Sequence, residues 1–249
     1  MSQNEWFIPE TYEDFKLLAA NNNLSVYEKI GFPEEYRKDF ELSIFKDITS
    51  KLSKIGMQNV RVMDIGPGVS DLPHLLIKMI EANNSEIFLI DSDEMLNQLP
   101  FNKCVTKIPG RFPEVLTVST SDIGKFDAIL MYSVLQYVAF ESSLLVCIDL
   151  VLDLLAPGGQ MLIGDIPNLS MRNRFFRSEN GIRFHQEFMK TSEKPAIDDF
   201  SYPKNSLDDS VIFSILHRAR IRGFNAYCVP QSKSLPFANR REDILIERP

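Results

Sequence analysis

The chain has 249 residues, 44% apolar and 24% charged, enough for one large domain with a substantial core and unlike a disordered or fibrous chain. A net charge of −7 argues against nucleic acid as the main partner, because polyanion binding is largely phosphate neutralisation by Lys and Arg. The acidic start (Glu5, Glu10, Glu13, Asp14) lacks the basic and apolar regions of a secretory signal. The longest apolar run, Leu144–Ala156, is interrupted by Asp149 and Asp153 and is too short to cross a bilayer. A cytoplasmic protein with no membrane partner is expected, with Cys104, Cys147 and Cys228 as free thiols, since no CxxC spacing joins them.

In chain order, Thr11 and Asp14 have capping spacing and open a predicted helix to about Asn21. A second helix is predicted from Pro33 to Ile55, with Phe40, Ile44, Phe45, Ile48 and Leu52 at helical spacing. Residues 1–56 thus read as a helical extension, and nothing in their pattern separates a lid from a homodimer surface. A strand, Val60–Ile65, then runs into Asp64-Ile-Gly66-Pro67-Gly68-Val-Ser70-Asp71, followed by a helix over Leu72–Ala82. Glycines in such a turn allow positive φ and let a ligand lie against the backbone, and the helix start offers free N–H groups. An acid at the strand tip suits an ammonium or hydroxyls and repels a pyrophosphate. A dinucleotide fingerprint needs glycine where Asp71 stands, and no Gly-Lys-Ser/Thr loop occurs.

A strand over Ile87–Asp91 ends in Asp91-Ser92-Asp93 before a helix to Leu99. Asp93 is the better cap for that helix, which leaves Asp91 free to accept hydrogen bonds from vicinal hydroxyls. Strands are expected over Cys104–Pro109, leading to Gly110-Arg111-Phe112-Pro113, and over Phe126–Tyr132, leading to Ser133. A helix over Glu141–Ala156 stops at Pro157-Gly158-Gly159, before a strand over Gln160–Ile166 that carries Asp165. A helix over Leu207–Arg222 ends at Gly223, and Phe224–Val229 and Asp243–Glu247 form an antiparallel pair. Strands apolar on both faces, alternating with helices, imply an α/β fold: a doubly wound, mostly parallel sheet with helices on both faces.

The Asp64–Ser70 loop resembles the Asp-x-Gly-x-Gly-x-Gly turn of class I S-adenosylmethionine-dependent methyltransferases, with Ser70 at the third glycine. Phe126–Val138 and Leu155–Ile163 resemble the fourth strand and the helix–turn–fifth-strand element of the same family, in the right order over Val60–Ile166. The resemblance implies a seven-stranded sheet with a reversed last strand, a methyltransferase domain over 57–249 and S-adenosyl-L-methionine as cofactor. It implies cofactor contacts at Asp64, Gly66, Pro67, Gly68, Asp91 (ribose), Ser92, Arg111, Phe112, Tyr132 and Ser133. Arg111 stands where many members place an acid for the adenine amino group, so the Phe112 N–H and the two side chains are left for the ring.

For the acceptor, Asp165 at the fifth strand's end is expected as a base or orienting group, with His185 as an alternative base. The stretch 168–205 reads as a substrate-covering insertion, and Arg174, Arg177 and Arg183 within it can grip an acidic group. His74, His185 and His217 are too scattered for a metal site. The expected activity is O-methylation of a small anionic molecule such as a nucleotide-linked sugar. The alternatives are methylation of an amine, or a non-catalytic protein that binds S-adenosylmethionine.

Overall fold

The computed structural model describes residues 8–119, 123–197 and 206–249. Thr11 caps α1 (Tyr12–Ala20) in a capping box: its hydroxyl accepts from the Asp14 amide at 3.2 Å, and the Asp14 carboxylate accepts from the Thr11 amide at 2.9 Å. Ser25 and Glu28 repeat the device at α2 (Val26–Lys29), a helix too short for periodicity to reveal. The single helix predicted over Pro33–Ile55 is in fact α3 (Glu34–Arg37), α4 (Glu41–Lys51) and a 3₁₀ turn (Ser53–Gly56). Asp39 holds φ +70° between the first two, a conformation that no continuous right-handed helix contains.

There follow β1 (Arg61–Ile65), α5 (Asp71–Ala82), β2 (Glu86–Asp91), α6 (Asp93–Leu96), β3 (Val105–Pro109), α7 (Glu114–Ser119) and β4 (Phe126–Tyr132). After these come α8 (Leu135–Glu141), α9 (Leu144–Leu154), β5 (Leu155–Pro167), α10 (Leu169–Arg177), α11 (Glu179–Met189), α12 (Asp209–Ile221), β6 (Asn225–Pro230) and β7 (Arg241–Glu247). Two boundaries differ from expectation. The helix predicted from Glu141 is interrupted at Ser142, whose extended backbone (φ −143°, ψ 171°) ends α8. The fifth strand begins before the Pro157-Gly158-Gly159 turn, because Leu155 already pairs with Phe126 across an irregularity in the ladder. Of the expected insertion, residues 168–197 contain α10 and α11, and 198–205 lie outside the described residues.

The sheet has seven strands in the order β3-β2-β1-β4-β5-β7-β6, parallel from β3 to β5, with β7 antiparallel to both β5 and β6. Both faces are covered. On one, Ile148, Val151 and Leu152 of α9 and Ile212 and Ile215 of α12 pack with Met63, Ile129 and Ile163. On the other, Ile44 and Ile48 of α4 and Leu72, Leu76 and Ile80 of α5 pack with Val62, Leu89, Leu130 and Leu162. Each such side chain removed from water contributes about 1.5–3 kcal/mol, so these two layers fix the strands whose tips carry the site. Because α4 shares a core with β1 and α5, the short elements before it are anchored over the strands' carboxyl ends. Among the described residues no helix is long and apolar enough to cross a membrane.

Candidate functional site

Strand order reverses between β1 and β4, and ligands of open α/β sheets bind at the carboxyl ends beside such a reversal. A cleft opens there beside the tips of β1, β2 and β4. Its floor is the turn after β1. Gly66 and Gly68 hold φ +72° and +64°, and a Cβ on them would lie 2.5 Å from Val134 and 2.6 Å from Ile30. Both the backbone and the space therefore require glycine. The third position does not: Ser70 is the N-cap of α5 with φ −71°, so its departure from the glycine pattern leaves the turn unstrained.

Asp64 lines the cleft at the tip of β1 and is 3% exposed. No donor among the described residues hydrogen-bonds its carboxyl, and burial, reinforced by the charge of Asp91, pushes its pKa up to about 8. Asp91, at the tip of β2, is pushed up to about 6 by burial, opposed by hydrogen bonds from the Ser92 amide (2.7 Å) and the Gly68 amide (3.1 Å). The cap of α6 is Ser92, whose hydroxyl accepts from the Met95 amide, so the expectation that Asp93 caps this helix is corrected. The consequence for Asp91 is unchanged: its carboxylate faces the cleft with accepting capacity to spare.

Arg111 and Phe112 line the far end. Arg111 donates to the Glu141 carbonyl at 2.8 Å and lies 3.7 Å from both Glu114 and Glu141 carboxylates, so its guanidinium is already engaged. Phe112 is 8% exposed, packed in the core, and its N–H meets no acceptor among the described residues. Pro67, Tyr132 and Ser133 complete the wall. Five residues ahead of the first strand line it too: Tyr12, Phe15, Ile30, Phe32 and Arg37. Sequence reasoning assigned none of these to the site. Their only signal was the capping pattern at Thr11 and Ser25, which marks helix starts and says nothing of where the helices land.

Asp165 does not line this cleft. It is 4% exposed in a buried ionic cluster beneath Tyr132. Arg241 pairs with it at 2.7 Å, Arg37 lies 3.7 Å away, Gln231 donates at 3.2 Å, and the Ser133 hydroxyl donates to it as well. The Asp165 amide in turn donates to Asp243 (2.8 Å), which is paired with Lys51 (2.7 Å). Ser133 and Asp165 both hold left-handed backbones, φ +61° and +59°, on adjacent strand tips, strain that the surrounding cluster sustains. Gly164, beside Tyr132 where β4 pairs with β5, leaves room for the tyrosine ring: a Cβ there would stand 2.4 Å from it.

The remaining candidates lie elsewhere. His185 sits on α11 with its ring 6.3 Å from Phe176 and does not line the cleft. Arg174 is salt-bridged to Asp209 at 2.5 Å, Arg183 donates to Asn180 at 2.6 Å, and Arg177 lies at the end of α10; none of the three lines the cleft. A basic side chain that does line it is Arg37, 5% exposed, whose Nε–H donates to Glu41 at 3.1 Å and whose guanidinium lies over the rings of Phe32 and Tyr132.

No family model matches the chain, and no curated protein matches it. Solved structures do. The N-methyltransferase NodS from Bradyrhizobium japonicum WM9, in complex with S-adenosyl-L-homocysteine, aligns over 97% of this chain and 100% of its own at 13% identity and a TM-score of 0.57. The plantazolicin methyltransferase BpumL, with S-adenosylhomocysteine and a monoazolic substrate analogue, aligns over 95% and 97% at 12% identity and a TM-score of 0.58. An S-adenosylmethionine-dependent methyltransferase from Aquifex aeolicus aligns over 89% and 96% at 15% identity and a TM-score of 0.52. The fold is that of class I methyltransferases. In this class I fold the expected seven strands, with the reversed β7, are borne out.

Proposed function

We propose that the chain is a methyltransferase that uses S-adenosyl-L-methionine and acts on a small molecule. The observation that carries this reading is Asp64: a buried acid whose carboxyl has no hydrogen-bond partner among the described residues, beside a turn that requires glycine, on the strand next to that of Asp91. A buried lone carboxyl is costly unless a ligand's cation completes it, and the amino-acid end of the cofactor brings an ammonium. Arg37, which also lines the cleft, is paired with Glu41 through Nε and keeps further N–H donors for a carboxylate, so the cleft complements a zwitterion. Asp91 would hold the ribose hydroxyls, Ser92 would hold Asp91, and the Phe112 N–H would meet the adenine ring, with Gly110 and Arg111 beside it. When bound, the cofactor supplies a methyl group already activated on a sulfonium. Alignment of the acceptor is then the protein's chief contribution.

The engagement of Asp165 favours an acceptor that supplies its own nucleophile, an amine or an already ionised oxygen, over a neutral hydroxyl that needs a base. The bound carboxylate holds the Ser133 hydroxyl in place at the edge of the cleft. A nucleotide-linked sugar had its support in Arg174, Arg177 and Arg183, and their positions do not add to it. The same reading places the protein in the cytoplasm, where Cys104, Cys147 and Cys228, all free thiols, stay reduced.

Calorimetry with S-adenosylhomocysteine tests the cofactor assignment: micromolar binding is expected, and no binding at millimolar ligand rejects it. Asp165→Asn tests the second point once an acceptor is known. A reduced kcat with every ionisation of the pH profile still present is expected, as of a positioning residue, whereas loss of an ionisation from the kcat profile would identify Asp165 as a base.

A further inference from the structure

Beyond the cofactor cleft, a smaller hollow lined by Phe32, Tyr36, Arg37, Tyr132, Asp165 and Phe237 shares three of its walls, Phe32, Arg37 and Tyr132, with that cleft. From there a row of rings leads outward. Tyr36 lies 5.3 Å from Phe237 and is stacked on Phe188 at 6.5 Å, and Phe188 is stacked on Phe184 at 5.9 Å with 9° between planes. Phe188 is 56% exposed and Phe184 38%, so this row presents aromatic surface to solvent on one side. Isolated exposed rings need no explanation, but four in register next to a cleft do.

Two guanidinium groups stand over the Phe237 ring of this row, Arg241 at 5.4 Å and Arg240 nearer. The Arg240 guanidinium lies 4.4 Å from the Phe237 ring centre and 5.7 Å from that of Phe176. It is half-buried, and no carboxylate among the described residues pairs with it. Arg241 and Arg172, the latter 5.2 Å from the Phe176 ring centre, add positive charge beside it. Arg241 is neutralised by Asp165, whereas Arg240 is not. Burial and these two neighbours push the Arg240 pKa down to about 10, the direction expected of a cation still lacking its anion. Phe237 holds φ +66°, a strained backbone for a bulky residue, and this conformation sets its ring between Tyr36 and Arg240.

We propose that this aromatic row is the acceptor subsite, and that it takes a planar acceptor bearing one oxyanion, which Arg240 binds. The inference rests on the methyl-transfer reading above. Planarity follows from the stacked rings, and the oxyanion follows from the Arg240 guanidinium, which lies over the Phe237 ring and is paired with no carboxylate among the described residues. Phe32, Arg37 and Tyr132, common to the hollow and the cleft, set this row beside the cleft wall.

The test is a titration of the protein saturated with S-adenosylhomocysteine, followed by NMR, with three probes: hydroxybenzoates, phenyl phosphate and the neutral hydroxybenzamides. Acidic probes are expected to bind at millimolar concentration or better and to shift signals of α11 and residues 235–240, with the amides weaker. The carboxylate and phosphate arms distinguish which oxyanion fits. Arg240→Gln is expected to weaken the acidic probes by at least about tenfold and leave the amides and S-adenosylhomocysteine unchanged, with Arg240→Lys intermediate. Unchanged S-adenosylhomocysteine affinity also shows the variant to be folded. Failure of every acidic probe to bind the wild type, or equal binding by Arg240→Gln, overturns the subsite. Repeating the titration without S-adenosylhomocysteine separates this from failure of the cofactor reading, which shows only in the calorimetry of that ligand.

Discussion

Cofactor affinity should depend on pH through Asp64, and the size of the effect follows from its burial. With a pKa of about 8 in the free protein, Asp64 is mostly protonated at neutral pH. Binding an ammonium requires the carboxylate, so the ligand must displace that proton. If Asp64 is ionised in the complex, affinity scales with its ionised fraction in the free protein and rises about thirtyfold from pH 5.5 to pH 7. Asp91, at about 6, adds about fourfold over the same interval if the ribose also needs the charged form. The window lies above the isoelectric point of about 5.1 and below the range where the ligand's own α-amine deprotonates. Calorimetry with S-adenosylhomocysteine gives the affinities, and buffers of different ionisation enthalpy count the proton, about 0.9 released by Asp64 at pH 7. Asp64→Asn should bind more weakly at pH 7 and keep only the shallow dependence due to Asp91. A wild-type change below about fivefold, or an Asp64→Asn variant with the full thirtyfold slope, would refute the assignment.

Three further outcomes are expected. In the free protein, Asp64 binds its proton more tightly folded than unfolded, so its effect on stability is unfavourable above its unfolded pKa, growing as pH rises until it levels off above about 8. Asp64→Asn should therefore melt higher than wild type at pH 8.5 and about level with it at pH 4, a stability gained at the expense of binding. Gly68→Ala places a Cβ 2.6 Å from Ile30 at φ +64°; a loss of about 1–3 kcal/mol in chemical denaturation and at least about tenfold in S-adenosylhomocysteine affinity are expected. Asp243→Asn removes one of the two carboxylates on Lys51, which keeps Asp47 at 2.5 Å, and should reduce stability in chemical denaturation by about 1–3 kcal/mol.

Much of the fold was legible because it depends on local rules. Strands buried on both faces read as apolar runs, as at Ile87–Asp91 and Phe126–Tyr132, and helix starts announce themselves by caps, as Thr11 does with Asp14. The failures also have local causes. A left-handed Asp39 broke a periodic stretch that reads as one helix, and pairing of Leu155 with Phe126 drew the fifth strand back past a proline–glycine turn. Neither leaves a mark in hydrophobic spacing.

For the site the division is sharper. The glycine turn and the two acids, Asp64 and Asp91, could be read from the chain alone, because a strand, a tight turn and a helix start follow one another and bring those groups together by local geometry. Which charges meet across the sheet was settled by folding. It sealed Asp165 between Arg241 and Arg37, tied Arg174 to Asp209, brought Arg37 to the wall of the cleft, and set Tyr36 against Phe188 and Phe237 from distant segments. A side chain's charge can be read from its letter; whether that charge is already neutralised depends on partners that can lie more than a hundred residues away.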